Sequence, residues 1–267
     1  MIARVREVLD RARVDPDVKA LLLRIDSPGG TVTASEQVYT EILRFKEERG
    51  VPVVAQLLGT AASGGYYIAM AADEVQAHPT TVTGSIGVIF SSVNVVGLMD
   101  KLGIEDQTVK GGLYKDAGSP LRRLTKEERS QLQSIVDDLH GRFREVVAKG
   151  RPDLTEDEVV GLANGRIFSA SQALEKGLVD RLGTLEDAAK LLESRIGAAE
   201  SRVVAYHRPI EIRRNLYTKA PGGLSAEATA NGIAASGSFG QAASQLGVLR
   251  ILSRPGFHYL WWPGLID

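Results

Sequence analysis

Val51-Pro-Val-Val-Ala-Gln-Leu-Leu-Gly-Thr-Ala-Ala-Ser-Gly-Gly-Tyr-Tyr-Ile-Ala-Met-Ala-Ala72 carries no charged side chain over its whole length. Pro52 to Leu58 is an apolar run of strand length. Gly59 to Gly65 is a turn of small residues, and Tyr67 to Ala72 resumes in residues that suit a buried helix. A second uncharged stretch follows from Val75 to Met99. Length alone would let either one span a bilayer. However, the first contains Pro52, Gln56, Gly59 and Ser63, and the second His78, Pro79, Ser85 and Asn94. Buried strands and helices of an α/β core account for both, so no transmembrane helix is expected.

Outward from this stretch the pattern repeats. Upstream, Ile2, Val5, Val8 and Leu9 recur at helical spacing up to about Arg13, and Asp15-Pro16-Asp17 is a turn. Ala20 to Ile25 reads as a buried strand broken by Asp26-Ser27-Pro28-Gly29-Gly30, and Val38, Ile42 and Phe45 mark a helix that stops at Gly50. Strand, helix, strand, helix in alternation predicts an α/β fold with a mostly parallel sheet and flanking helices. Downstream, Val75 to Ala77, Ile86 to Phe90 and Glu105 to Val109 read as short strands, and Gly111-Gly112 opens a polar loop through Pro120. Thr125-Lys-Glu-Glu128 is a capping box. The helix it starts puts Leu132, Ile135, Val136, Leu139, Phe143, Val146 and Val147 on one face. A shorter helix starts at Ser169-Ala-Ser-Gln172 and ends at Gly177.

The 267 residues suit one α/β domain over 1–200 followed by an extension over 201–267. From about Lys219 the composition shifts. Ala220 to Gly247 is rich in Ala, Gly and Ser, which fill a core poorly, and reads as flexible or loosely helical. Phe257, Tyr259, Leu260, Trp261 and Trp262 then form an aromatic cluster suited to docking a partner, to meeting a membrane surface or to packing on the domain edge. Lys+Arg 32 against Asp+Glu 33 gives a net charge of -1, which argues against a nucleic-acid partner, whose binding needs a cationic face. The absence of cysteine excludes disulfides, thiolate metal sites and a cysteine nucleophile. The N-terminus is charged at once, so no signal peptide is read there.

Ser63 lies between a buried strand and a helix start, where a hydroxyl faces the positive end of a helix dipole and N–H groups that can bind an oxyanion. Taken alone it reads better as an ordinary helix cap. It is not the G-x-S-x-G elbow either, because Ala61 stands where the first glycine should be. Asp26 to Gly30 likewise reads alone as a plain strand-to-helix turn, although a second glycine turn at a strand's C-terminal end is where α/β sheets place ligands. A serine nucleophile needs a base. Of the four histidines, His140 lies on the long amphipathic helix and His207 and His258 lie late in the chain. Only His78 is near Ser63 in sequence. Counting leaves a Ser-His-Asp triad open, with no histidine in a convincing setting. Lys115, in the 111–120 loop, is the alternative. A lysine acts as a base near neutral pH only where burial disfavours its charged form, and the uncharged stretches around Ser63 are expected to provide such surroundings. Ser85, in Thr83-Gly-Ser-Ile-Gly87, could hydrogen-bond that amine.

Together, Asp26-Ser-Pro-Gly-Gly30, Ala61-Ala-Ser-Gly-Gly-Tyr-Tyr67, Thr83-Gly-Ser-Ile-Gly-Val88, Lys110 to Pro120, and Gly165-Arg-Ile-Phe-Ser169 with Gly177-Leu-Val-Asp180 resemble the signal peptide peptidase A (SppA) family over about residues 18 to 190. Each motif is weak alone, and five in order are specific. The resemblance implies a ClpP/crotonase-type fold and a serine endopeptidase with a Ser-Lys dyad, acting through an acyl-enzyme on extended apolar peptides such as remnant signal peptides. By the same resemblance Ser63 is the nucleophile, Lys115 the base, Ser85 the hydroxyl that holds the lysine, and Gly30 and Gly64 the oxyanion hole. No cofactor or metal is implied. Relatives form rings and sit in the bacterial cell envelope, so a membrane-associated homo-oligomer is expected. Family members begin with a membrane anchor and a first strand, and neither is read in this chain. A sheet without that strand would have an open edge, which points to upstream sequence. Two other readings stay open. A crotonase-type acyl-CoA enzyme would require neither Ser63 nor Lys115. A non-catalytic scaffold would have no chemical reason to keep Ser63, Lys115 and Ser85 together.

Overall fold

A computed structural model describes residues 2–198 and 200–206 and the backbone of 256–260. The chain divides into two compact units, Met1–Val203 with Pro255–Asp267, and Val204–Arg254. The expected loose segment over 220–247, His207, and the side chains of His258 and the terminal aromatic cluster lie outside the described residues.

Helix α1 (Ile2–Val14) leads into strand β1 (Leu21–Ser27), the three-residue strand β2 (Gly29–Thr31), helix α2 (Val32–Arg49) and strand β3 (Val53–Ala62). The end of α2 is fixed by Gly50 in the left-handed conformation (φ 59°), whose N–H donates to the Lys46 carbonyl, the glycine stop read from the sequence. Helix α3 (Gly64–Ala69), strands β4 (Glu74–Ala77), β5 (Val82–Gly84) and β6 (Ile89–Ser91), and helix α4 (Val96–Leu102) follow. Then come helices α5 (Lys126–Gly150) and α6 (Glu156–Leu162), strand β7 (Ile167–Ser169), helix α7 (Ala170–Glu175), strand β8 (Arg181–Leu182), helix α8 (Leu185–Ile196) and strand β9 (Gly256–Leu260).

Strand β3 organises the main sheet. It pairs in parallel with β1 along one edge; along the other, β4 pairs with its first half and β5 with its second. Strand β8 continues parallel beyond β4, and β7 closes the far side antiparallel to β5. Because β3 is covered on both faces, its side chains from Val53 to Leu57 are all buried, which is why the sequence shows a continuous apolar run instead of alternation. Among the described residues β1 pairs with β3 only. Helix α8 seats Ala188 and Leu192 against Val54, and Phe45, Ile42, Tyr66, Tyr67 and Phe143 fill the core between α2, α3 and α5. This is the α/β, ClpP/crotonase-type architecture expected, a mostly parallel sheet with flanking helices. A second sheet of three strands runs β2-β9-β6, with β9 antiparallel to both neighbours.

Several local expectations are corrected. The turn expected over 59–65 contracts to Ser63, because β3 runs on to Ala62. Gly59 lies inside the strand, and Asp26 takes the neighbouring Thr60 N–H at 3.2 Å across the β1–β3 junction. The strand expected over 86–90 is shifted to β6 at 89–91, and β5 at 82–84 was not expected; Gly84 (φ 85°) and Ser85 (φ 51°) turn the chain after β5. Residues 105–109 form no strand. They lie exposed, Val109 at 98%, and pair with no strand among the described residues. Helices α4, α6 and α8 lacked a clear signal, although α6 and α8 begin in capping boxes at Thr155 and Thr184. The apolar face of α5 is buried only at its C-terminal end, by Phe143, Val146 and Val147; Ile135 remains exposed.

Candidate active site

The end of β3 decides the position of Ser63. Ala62 still pairs with Gly84 of β5, and the Ser63 N–H donates to the Gly84 carbonyl at 2.8 Å, so the chain stays in the sheet for one more residue. It must then reverse into α3, whose first bond runs from the Tyr67 N–H to the Ser63 carbonyl at 2.8 Å. Both demands are met by φ 54° and ψ -118° at Ser63, a region that a residue with a side chain adopts at a cost of about 1–3 kcal/mol. The hydroxyl does not cap the helix: Ser63 makes no side-chain bond to α3. It is buried, and its Oγ has no hydrogen-bond partner among the described residues. An unpartnered buried hydroxyl costs a further 1–3 kcal/mol or so, so two unfavourable features coincide on one atom. That coincidence overturns the cap reading. Local stability does not account for it.

The glycines beside Ser63 are there for close approach. A Cβ on Gly64 would overlap the Ser35 hydroxyl of α2 and lie 3.2 Å from the Gly30 nitrogen and 3.3 Å from the Gly29 Cα. A Cβ on Gly65 would lie 2.8 Å from the Ser27 carbonyl oxygen. The start of α3 is therefore pressed against the β1–β2 junction, and the two oxyanion-hole candidates, Gly30 and Gly64, are brought side by side. Ser85 is tied to the same place through Gly84. It is buried, and its N–H donates to the Arg166 carbonyl at 2.7 Å, which holds the left-handed pair 84–85 against β7.

Lys115 is placed differently from expectation. It is exposed, in a turn in which its N–H donates to the Gly112 carbonyl at 3.2 Å, and its amine makes no hydrogen bond to Ser63 Oγ. Among the described residues the uncharged stretches around Ser63 do not enclose it. The two histidines whose side chains are described, His78 and His140, offer no substitute. His78 pairs with the Thr80 hydroxyl at 2.8 Å. His140 is half-buried on α5, where burial holds its imidazole below the ordinary value, and its Nε2 has no partner. Among the described residues no three His, Cys, Asp or Glu side chains cluster as a metal site.

Sequence reading missed what stands behind the site. Tyr67 of α3 is fully buried, stacks edge-on to Tyr39 at 5.4 Å and lies 4.9 Å from Phe143. Its hydroxyl donates to Glu36, which also receives Arg142 from α5 at 2.8 Å. Burial would raise the Glu36 carboxyl, but the hydrogen bonds from Arg142 and Tyr67 outweigh it and hold it below the ordinary value. Helix α3 is thereby pinned to α2 and α5. The Tyr66-Tyr67 pair directly after the glycines was the available signal.

The sequence over residues 45–198 matches the model of peptidase family S49. The chain belongs to that family. It is 49% identical over 169 residues to a provisionally named protease of Synechocystis sp., a match covering 63% of this chain and 60% of that one. It is 40% identical over 198 residues to a provisionally named signal peptide peptidase SppA of Enterococcus faecium, covering 74% and 57%. It is also 35% identical over 189 residues to the chloroplastic serine protease SPPA of Arabidopsis thaliana, covering 70% and 27%. The chain thus spans about three fifths of the length of the first two. Four of the five motifs lie within this S49 region, and Asp26 to Gly30 lies upstream of it. Among the described residues no helix is long and apolar enough to cross a membrane.

Proposed function

We propose that this S49 chain carries the catalytic machinery of a serine endopeptidase with Ser63 as its nucleophile. The single observation that carries the reading is the strained, buried and uncapped Ser63 hydroxyl lying beside the Gly30–Gly64 contact. In the reaction, Lys115 takes the Ser63 proton as Oγ attacks the scissile carbonyl carbon. The N–H groups of Gly30 and Gly64 stabilise the oxyanion, and the lysine returns the proton to the leaving amine. Water, activated by the same amine, then hydrolyses the acyl-enzyme. Ser85 orients the lysine.

An extended substrate is supported by the β2 edge, which accepts an antiparallel strand: Gly30 is in register with residue 259 of β9. A peptide backbone taking that place would run past Gly30 and Ser63. The apolar preference and the remnant-signal-peptide class rest on family kinship, as does location at the cell envelope. An acyl-CoA enzyme of the crotonase type would have no use for a strained serine, and a scaffold would have no reason to keep one.

Desolvation of Lys115 requires cover that the described residues do not provide. Leu98, Leu102, Ile104, Val109, Leu113 and Tyr114 are all exposed on the segment leading to it, a surface suited to a second copy. A homo-oligomer in which this surface is covered fits both needs. The test is hydrolysis of an apolar fluorogenic peptide by wild type, Ser63→Ala and Lys115→Ala, with native mass measured in parallel. The expected result is an assembly of several copies, active only when both residues are intact. Undiminished hydrolysis by Ser63→Ala would reject the proposal.

A further inference from the structure

A general base needs a fixed position, yet Lys115 lies on an arc, residues 110–122, that contains no helix or strand. The arc is held by its other residues. Ser92 Oγ donates to the Gly118 carbonyl at 2.9 Å, the Val95 N–H to that of Pro120 at 2.8 Å, and Asn94 Nδ2 to that of Arg122 at 2.7 Å. The strongest fastening begins at Asp116, the residue next to the lysine. Its carboxylate receives Lys110 Nζ at 2.7 Å and both Nε and Nη2 of Arg122, each at 2.7 Å. The same guanidinium turns its other edge to Glu128, with Nη1 at 2.8 Å from Oε2 and Nη2 on Oε1. Glu128, 2% exposed, is the capping-box residue of α5 and accepts the Thr125 N–H at 2.9 Å. One planar fork thus joins the middle of the arc to the first turn of a 25-residue helix whose far end is in the core.

We infer that Arg122 is a positioning residue for the base: by gripping Asp116 and Glu128 together it fixes the backbone beside Lys115 and keeps the Asp116 carboxylate occupied, leaving the neighbouring amine free to accept the Ser63 proton. The inference rests on the Ser63–Lys115 reading above. The charges facing Asp116 support it. On the arc these are Lys110 and Arg122; from α5 there is Glu128; and the 92–94 segment brings only the uncharged Ser92 and Asn94 to the arc. Two cations and two carboxylates cancel. The hydrogen bonds from Arg122 hold both carboxyls well below their ordinary values, so they stay ionised at any working pH. Removing the Arg122 charge would leave one net negative charge at the residue that follows Lys115 in the chain, and a nearby negative charge favours the protonated form of an amine.

The test is the pH profile of kcat/KM for an apolar fluorogenic peptide, using the full chain in its native assembly. Arg122→Gln is expected to move the rising limb alkaline by about half a pH unit or more and to lower kcat by about 10- to 100-fold with KM less affected. Adding Asp116→Asn should return the midpoint to the wild-type value without restoring the rate. Arg122→Lys, which keeps a charge but not the fork, should keep the midpoint and still lose rate; it carries the test if Arg122→Gln fails to fold. A wild-type midpoint in folded Arg122→Gln, or a wild-type rate in Arg122→Lys, would overturn the inference. Lys115→Ala distinguishes this from failure of the dyad. If that variant is inactive while the Arg122 variants are normal, only the positioning role falls. If it is fully active, the dyad itself falls.

Discussion

Gly64→Ala tests the geometry most sharply, because one added methyl group meets two kinds of neighbour. The first is the Ser35 hydroxyl, which it would overlap; that hydroxyl donates to the Thr31 carbonyl at 3.2 Å, and rotating it away loses a bond worth about 1 kcal/mol. The second is backbone, the Gly30 nitrogen at 3.2 Å and the Gly29 Cα at 3.3 Å, against an ordinary carbon contact of about 3.5–4.0 Å. The start of α3 and the β1–β2 junction must therefore separate by roughly 0.3–0.5 Å, which is overpacking of a kind that costs about 1–3 kcal/mol. For a chain of this size the thermal midpoint should fall by about 2–10 °C. The catalytic effect is larger. Complete removal of one oxyanion donor costs about 100- to 1000-fold, so spreading two of them by a few tenths of an ångström should cost about 10- to 100-fold in kcat. Adding Ser35→Ala relieves the side-chain overlap but not the backbone contact, so it should recover part of the midpoint and little of the rate. The assays are thermal melting and peptide hydrolysis on the same preparations. Wild-type turnover by Gly64→Ala, or full recovery of rate in the double variant, would refute the reasoning that this contact shapes an oxyanion hole.

Two further outcomes follow from the same structure. Ser85 holds φ 51°, which glycine adopts freely, so Ser85→Gly should melt at or slightly above the wild-type temperature while turnover falls; unchanged turnover would show that the hydroxyl does not serve the lysine. Glu128 is lowered from 4.5 to about 2, chiefly by Arg122, and Asp116 is lowered further below its ordinary value by the same guanidinium. Groups lowered in the folded state contribute stability above their unfolded pKa and lose it as pH falls toward the folded one. The melting temperature should therefore drop between pH 4.5 and about 2, and drop less steeply in Arg122→Gln. Parallel curves for the two proteins would contradict the assignment.

The sequence made the layers legible because burial and capping leave local marks. The uncharged run over Val53–Leu57, the glycine stop at Gly50 and the capping boxes at Thr125 and Ser169 each correspond to a physical requirement met within a few residues. What escaped was set by distant partners. Gly59 looked like a turn, but it lies in β3 where Asp26 comes close. Val109 has the composition of a strand residue but pairs with no strand among the described residues and lies exposed. At Ser63 the identity of the residue concealed its conformation, since a positive φ is usually announced by glycine. The site's motifs could be read; the hydrogen bond from the Ser63 N–H to Gly84, which forces the elbow, joins residues 21 positions apart. Nor could composition around Ser63 reveal that Lys115 would be held from α5 by way of Arg122 and Glu128.

The most direct measurement is mass-spectrometric mapping of a fluorophosphonate adduct on the assembled protein. A single adduct on Ser63, formed much more slowly when Lys115 is replaced by alanine, is the predicted result. An adduct on any other serine, or equally fast labelling of Ser63 without the lysine, would contradict the account.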